Sequence, residues 1–266
     1  MKLRELYEYL DGIAPFQEQE AWDNSGLQVG HLDQEIERVF LAVDATEEVL
    51  EAADAWGADL ILTHHPLIFG GIQAVNDQDF VGKRVLFLAE KQISYVAMHT
   101  NFDKYGMRDM IDEKLGFHEE AIDYRGERVP TSAEVLDPLG CMGSLAELEE
   151  ETDLKSYAAF VKDAFGLSHV KVFGDPKKRI HKVAVIGGSG KSEIPAAIQA
   201  GSDVLVTGDI DHHNGIDANT QGLAIIDAGH YGLEHVFTEY MERILNKKFP
   251  ELTICQEENH EPFYIV

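Results

Sequence analysis

Four short polar motifs in this chain each follow a run of apolar residues, and their side chains are the ones able to hold a metal ion. They are THHP (63–66), HTNFD (99–103), TGDIDHH (207–213) and DAGHYGLE (227–234). Imidazole and carboxylate together suit zinc, iron, manganese or cobalt, whereas calcium would want mainly oxygen. His230 and Glu234 stand four apart, so a helix beginning after Gly229 projects them from one face. That resembles the two-His helical metal grip with a carboxylate in place of one His. His64 and His65 are adjacent on extended backbone and point in different directions. They suit two neighbouring ions better than one. A carboxylate such as Glu234 can bridge a pair of ions about 3.5–4 Å apart, the usual hydrolytic geometry. The ligand chemistry thus gives a two-metal centre, with His64, His65, Asp103, His230 and Glu234 as protein ligands and two divalent transition-metal ions (zinc, iron or manganese) per subunit.

Other residues of the same motifs are assigned lesser parts. His99 and His213 read as proton carriers, or as partners that orient a metal-bound imidazole. The loop WDNSGLQVG (22–30) combines an aromatic ring, polar groups and glycines. It is read as pocket-lining in preference to an ordinary tight turn, with Trp22, Asp23 and Asn24, together with Asp209 and Tyr231, as substrate contacts. His31, His118, His169, His181, His235 and His260 lack such company and are left as surface or packing residues. GGSGKS (187–192) lacks the spacing of a phosphate loop, because Val185 stands where that motif needs glycine.

The elements that must position these groups are repeated. RVFLAVDATEEVLEAADAWGADLILTHH from Arg38 and KVAVIGGSGKSEIPAAIQAGSDVLVTGD from Lys182 align without a gap. Val39 meets Val183, Ala52 and Ala53 meet Ala196 and Ala197, Gly57 meets Gly201, Asp59 meets Asp203, and Thr63 meets Thr207. Each copy reads as strand, turn, amphipathic helix, Gly turn and buried strand. A weaker echo, ISYVAMHTNFD against LAIIDAGHYGLE, pairs His99 with His230 and Asp103 with Glu234. These strand ends are where ligands collect in open α/β sheets. The expected fold is α/β, with two related, intertwined halves from an internal duplication and mixed or largely parallel sheets in three layers. The halves are placed at residues 1–125 and 126–266. Between them, 145–165 reads as acidic and helical. The C-terminal runs LTIC and FYIV read as strands that complete a sheet or join a neighbouring subunit.

Composition limits the function. Of 266 residues, 44% are hydrophobic, and 22 Lys and Arg face 48 Asp and Glu for a formal charge of −26. A globular chain follows. A nucleic-acid backbone binder is disfavoured, since neutralising phosphates needs clustered cations. No apolar run reaches membrane-spanning length. Leu3, Leu6, Tyr7 and Leu10 instead mark an amphipathic first helix, not a signal peptide. Cys141 and Cys255 have no ligand spacing and give no disulfide framework, so a cytoplasmic location is expected.

In this order, WDNSGLQVG, THHPLIF, HTNFD, GGSG, TGDIDHH and DAGHYGLE resemble the Nif-three family, also called GTP cyclohydrolase I type 2 homologues, across essentially the whole chain. The resemblance implies two metal ions inside a toroidal homohexamer. Carried over by motif, His65 and Asp103 bind one ion, His64 and His230 the other, and Glu234 bridges. The short middle stretch has no room for the domain inserted in longer relatives, and Leu233 replaces a small hydroxyl residue usual in the last motif. GTP cyclohydrolase activity comes with the family's name and is not inferred from these residues. The leading expectation is a metal-dependent hydrolase of a small nucleotide-like or phosphorylated molecule. The alternative is a non-catalytic metal-binding regulatory or scaffold protein acting through protein partners.

Overall fold

The computed structural model describes residues 1–117, 121–122, 128–129, 133–135, 142–259 and 261–266. His118, Cys141 and His260, named above, lie outside these. From the N-terminus run α1 (Leu3–Ile13), β1 (Gly26–Val29), β2 (Arg38–Ala42), α2 (Glu47–Trp56), β3 (Leu60–Thr63), α3 (Phe80–Lys91), β4 (Ser94–Ala97) and α4 (Thr100–Phe102). A π-helical turn, Asp103–Met107, leads to α5 (Arg108–Leu115), β5 (Ala121–Ile122), β6 (Arg128–Val129), β7 (Ala133–Val135), β8 (Gly143–Asp153), α6 (Leu154–Ala164) and β9 (Lys171–Phe173). Then come β10 (Arg179–Ser189), α7 (Ile194–Gln199), β11 (Val204–Gly208), α8 (His212–Thr220), β12 (Ala224–Asp227), α9 (His230–Glu234), α10 (Val236–Lys248) and β13 (Thr253–Gln256).

Two compact units result, Met1–Gly106 with His235–His260, and Met107–Glu234 with Glu261–Val266. The sequence-based division placed the halves at 1–125 and 126–266. The changeover comes after Gly106, and the chain later returns to the first unit. Strand pairing is the reason: β13 adds to β2 in parallel, with Ile254 opposite Val39 and Cys255 opposite Phe40. The Glu257 carboxylate then accepts from the Val43 amide at 2.8 Å. LTIC is thus a sheet strand as expected, whereas FYIV is not: Phe263 to Val266 are exposed and outside any strand.

The first unit is a five-stranded sheet in the order β1-β4-β3-β2-β13, parallel except for β1. All four residues of β3 and of β4 are buried, as a sheet covered on both faces requires. One face packs Phe40, Ile61 and Tyr95 against Val49, Leu50 and Ala53 of α2 and Leu88 of α3. Thr46 starts α2, its side chain accepting from the Val49 amide at 3.1 Å, and Gly57 ends it at φ +80°.

The second unit has a six-stranded sheet in the order β7-β8-β10-β11-β12-β9, with β10, β11 and β12 parallel. Its core joins Ala184, Leu205 and Ile225 to Ala197 of α7 and Ala218 of α8. The duplication extends to single hydrogen bonds. Asp59 Oδ2 accepts from the Glu37 and Arg38 amides at 2.8 and 2.9 Å. Asp203 Oδ2 does the same for His181 and Lys182 at 2.9 and 2.8 Å. The acidic stretch expected to be helical from 145 is strand β8 up to Asp153, and only then helix α6. Antiparallel pairing of Ala146 with Val183 and Ser144 with Val185 overrides the helical preference of its glutamates. Among the described residues, no helix is long and apolar enough to cross a membrane.

Candidate metal centre

The parallel strands of each unit deliver their polar residues at carboxyl ends. In the first unit β3 runs directly into His64 and His65. His64 is fully buried; its Nδ1 lies 2.8 Å from the Met98 carbonyl oxygen, just past the end of β4. His65 turns the other way, and its Nδ1 lies 2.8 Å from Asp44 Oδ1 at the end of β2. His99 follows β4, with its Nδ1 2.8 Å from Asp23 Oδ1. The three rings pack with centroids 4.9–5.4 Å apart. Each offers one ligand atom within 4.8 Å of the others, a group able to hold a metal ion. Asp103, one helical turn on from His99, places Oδ1 3.5 Å from His64 Nε2.

The second unit repeats the plan. His230 opens α9 beyond β12, and its Nδ1 lies 2.8 Å from Asp209 Oδ2 beyond β11. Asp209 takes φ +59°, a left-handed backbone that aspartate tolerates better than most residues. One turn later, buried Glu234 sets Oε2 3.0 Å from His230 Nε2. Gly188, at φ +60° in the β10 end, lies against both. A Cβ there would meet Glu234 Oε1 at 2.3 Å and His230 Nε2 at 3.2 Å. Gly188 of GGSGKS therefore serves close approach to the side chains of His230 and Glu234.

The donor chemistry is uniform. Carbonyl and carboxylate oxygens only accept, so Nδ1 carries a proton in all four rings, and in the neutral ring Nε2 presents a lone pair. Metal-binding histidines are characteristically oriented by such an acceptor. For His64 and His230, Nε2 also faces a carboxylate oxygen. Acceptors at both ends of an imidazole repel unless the ring is doubly protonated or a cation stands between Nε2 and the carboxylate. Ligand atoms on one tetrahedral zinc are roughly 3.3 Å apart, given bonds of about 2.0–2.1 Å. The 3.0 Å separation of His230 and Glu234 fits a shared ion, and the 3.5 Å separation of His64 and Asp103 fits ligands of one ion or of two neighbouring ions.

Asp23 is the most heavily bonded carboxylate of the region. Burial alone would raise its pKa, but hydrogen bonds from His99, Thr100 and the Asn24 amide, with the charge of His99, hold it well below the usual carboxylate range. Asn24 Nδ2 donates to the Ile68 carbonyl at 2.6 Å, tying the WDN loop to the segment after His65. Trp22 stacks on Phe69 at 5.7 Å and meets His99 edge-on at 5.9 Å. Tyr231 and Asp209 line a cavity of about 450 Å³ with His230, Lys171 and Glu261. His213 is exposed in the first turn of α8, where its ring meets His212 at 5.2 Å. It stands outside the metal-competent groups found among the described residues.

Sequence reading overlooked Asp44 and the Met98 carbonyl. Asp44 sits in a strand-to-helix turn that looked purely structural; its position at a strand end, one strand from His65, was the available signal. A main-chain carbonyl carries no sequence signal at all.

The family model for Duf34/NIF3 (NGG1p interacting factor 3) matches residues 1–262. A Clostridium perfringens protein named GTP cyclohydrolase 1 type 2 homolog is 32% identical, with all of both chains aligned. The crystal structure of Staphylococcus aureus hypothetical protein SA1388 superposes with a TM-score of 0.85 at 29% identity, covering 100% of this chain and 99% of that one. A Bacillus cereus protein related to NIF3 shares the fold, with a TM-score of 0.82 at 24% identity over 100% of this chain and 99% of the other. The duplicated sheets, the histidines at their strand ends and these matches lead to one assignment: the chain belongs to the Duf34/NIF3 family.

Proposed function

We propose that this protein is a two-metal hydrolase of a small nucleotide-like or phosphorylated molecule. In this reading His65 and Asp103 would hold one ion and His64 and His230 the other, with Glu234 serving both. The observation that carries the reading is the pair of Nε2–carboxylate contacts, His64 with Asp103 and His230 with Glu234, in rings whose Nδ1 already faces an acceptor. Four neutral imidazoles built this way suit a divalent transition metal. The extra polar groups around them exceed what a closed structural site needs.

Paired divalent ions acidify water and neutralise charge that develops on the substrate. The chain's own residues supply the rest. Asp44 and Asp209 fix the tautomer and aim of His65 and His230. Asp23 holds the Nδ1 proton of His99, so His99 accepts and returns a proton at Nε2. Trp22, Asn24 and Tyr231 border the substrate. A homohexameric, toroidal assembly in the cytoplasm belongs to the same proposal and is supported by family membership.

The test is metal analysis of protein purified without chelators, then a hydrolysis screen of nucleotides and phosphoesters with wild type, His65→Ala and Glu234→Ala. Bound metal and a turnover that both substitutions abolish while the fold persists are expected. Turnover unchanged in the variants refutes the assignment, and bound metal without turnover of any substrate favours the scaffold reading.

A further inference from the structure

A second cavity, about 410 Å³, lies in the first unit with Asp44 in its lining. Its size falls in the range of small-molecule sites, about 300–1,000 Å³. Its walls are mostly apolar, including Leu67, Phe69, Ile72 and Phe80, and its charged side chains are Asp44 and Arg84. Phe69 and Phe80 are 52% and 62% exposed, so the pocket presents aromatic surface to solvent although Trp22 stacks on Phe69. Arg84 lays its guanidinium 5.1 Å over the Phe80 ring. Its Nε is enclosed with no hydrogen-bond partner among the described residues. Cations are scarce in this chain, and one held on an aromatic face inside an apolar pocket is poorly used by folding alone.

We infer that this cavity binds a planar aromatic ring carrying an anionic group, the ring against Phe69 and Phe80 and the anion at Arg84. The geometry also orients the ligand. Asp44, the acidic side chain of the lining, repels an anion, and its Oδ1 is engaged by His65. The charged group therefore goes to Arg84. Two contacts connect the cavity to the proposed centre. Asp44 bonds His65, and Phe69 meets the His99 ring at 5.6 Å. The inference deepens the proposed function by naming a substrate class, yet it concerns side chains that bind without metal.

The experiment is calorimetric titration with 2-naphthoate and with its ring-saturated counterpart, decahydro-2-naphthoate. Wild type is titrated before and after stripping with a chelator. Arg84→Ala, Arg84→Lys and Phe80→Ala are titrated after their folds are checked by circular dichroism. Expected are saturable binding of 2-naphthoate in both wild-type preparations and at least tenfold weaker binding of the saturated acid. Arg84→Ala should lose tenfold or more, and Arg84→Lys should regain part of that loss because charge is restored. No binding of 2-naphthoate at millimolar concentration, equal binding of the two acids, or unchanged binding in folded Arg84→Ala overturns the inference. A protein that binds 2-naphthoate but never holds metal sinks the two-metal reading and leaves this one standing.

Discussion

Replacing Gly188 by alanine separates backbone strain from damage to the centre. At φ +60° a Cβ costs about 1–2 kcal/mol whatever surrounds it. The added carbon would also stand 2.3 Å from Glu234 Oε1, against 3.4 Å or more for ordinary contact. The carboxylate must therefore retreat by roughly 1 Å, while metal–ligand distances tolerate about ±0.2 Å. Glu234 is buried in α9 and cannot swing into solvent as a surface glutamate would. Gly201→Ala provides the control. Gly201 has φ +72° in the same unit, and nothing lies within 4 Å of the point where an alanine methyl would stand. Both variants should lose about 2–4 °C of melting temperature per kcal/mol of strain. In a chelator-competition titration, Gly188→Ala should lose metal affinity by tenfold or more and Gly201→Ala should lose none. Wild-type affinity in Gly188→Ala refutes the placement of Glu234 as a ligand.

Three further substitutions test the support of the histidines. Asp44→Asn removes the charged acceptor of His65 Nδ1 and should weaken metal binding by about 10–100-fold without unfolding the protein; equilibrium dialysis reads this. Tyr95→Phe deletes a hydroxyl that donates to the His65 carbonyl at 2.8 Å and accepts from Thr63. Thr63 Oγ1 also lies 2.8 Å from the His65 carbonyl and can donate to it instead, so the cost should be that of one net hydrogen bond, about 0.5–1.5 kcal/mol in denaturant unfolding. Asp23→Asn tests pH dependence. The folded carboxyl titrates below its unfolded value of about 3.9, so its contribution is fully present above that pH and is lost as pH falls through the lower folded value. The stability gap between wild type and Asp23→Asn should be constant near neutrality and narrow below pH ~4; a gap that widens in acid contradicts the sign.

The strand-end motifs were legible because a parallel sheet must bury its strands on both faces, which leaves polar residues only at their ends. The pairing of Asp59 with Asp203 was visible as an alignment, and it survives as the same two-amide hydrogen bond in each unit. The return of the chain to the first unit was hidden. Sequence order placed α10 and β13 with the second copy, but β2 had an open edge that β13 could fill. The helical expectation for β8 failed for a similar reason. Its glutamates favour a helix locally, and only the long-range partner β10 fixes the strand. His99 looked like one proton carrier among several; burial of Asp23 beneath it distinguishes it from exposed His213. Such long-range pairings leave no mark in local spacing.

The proposed function assigns His64, His65 and Asp103, with His230 and Glu234, to one pair of ions. Anomalous diffraction from crystals grown with zinc or manganese tests it most directly. Expected are two peaks about 3.5–4 Å apart, one bonded by His65 and Asp103, the other by His64 and His230, with Glu234 between them. Separate peaks confined to each cluster, or no peak near either, would contradict it.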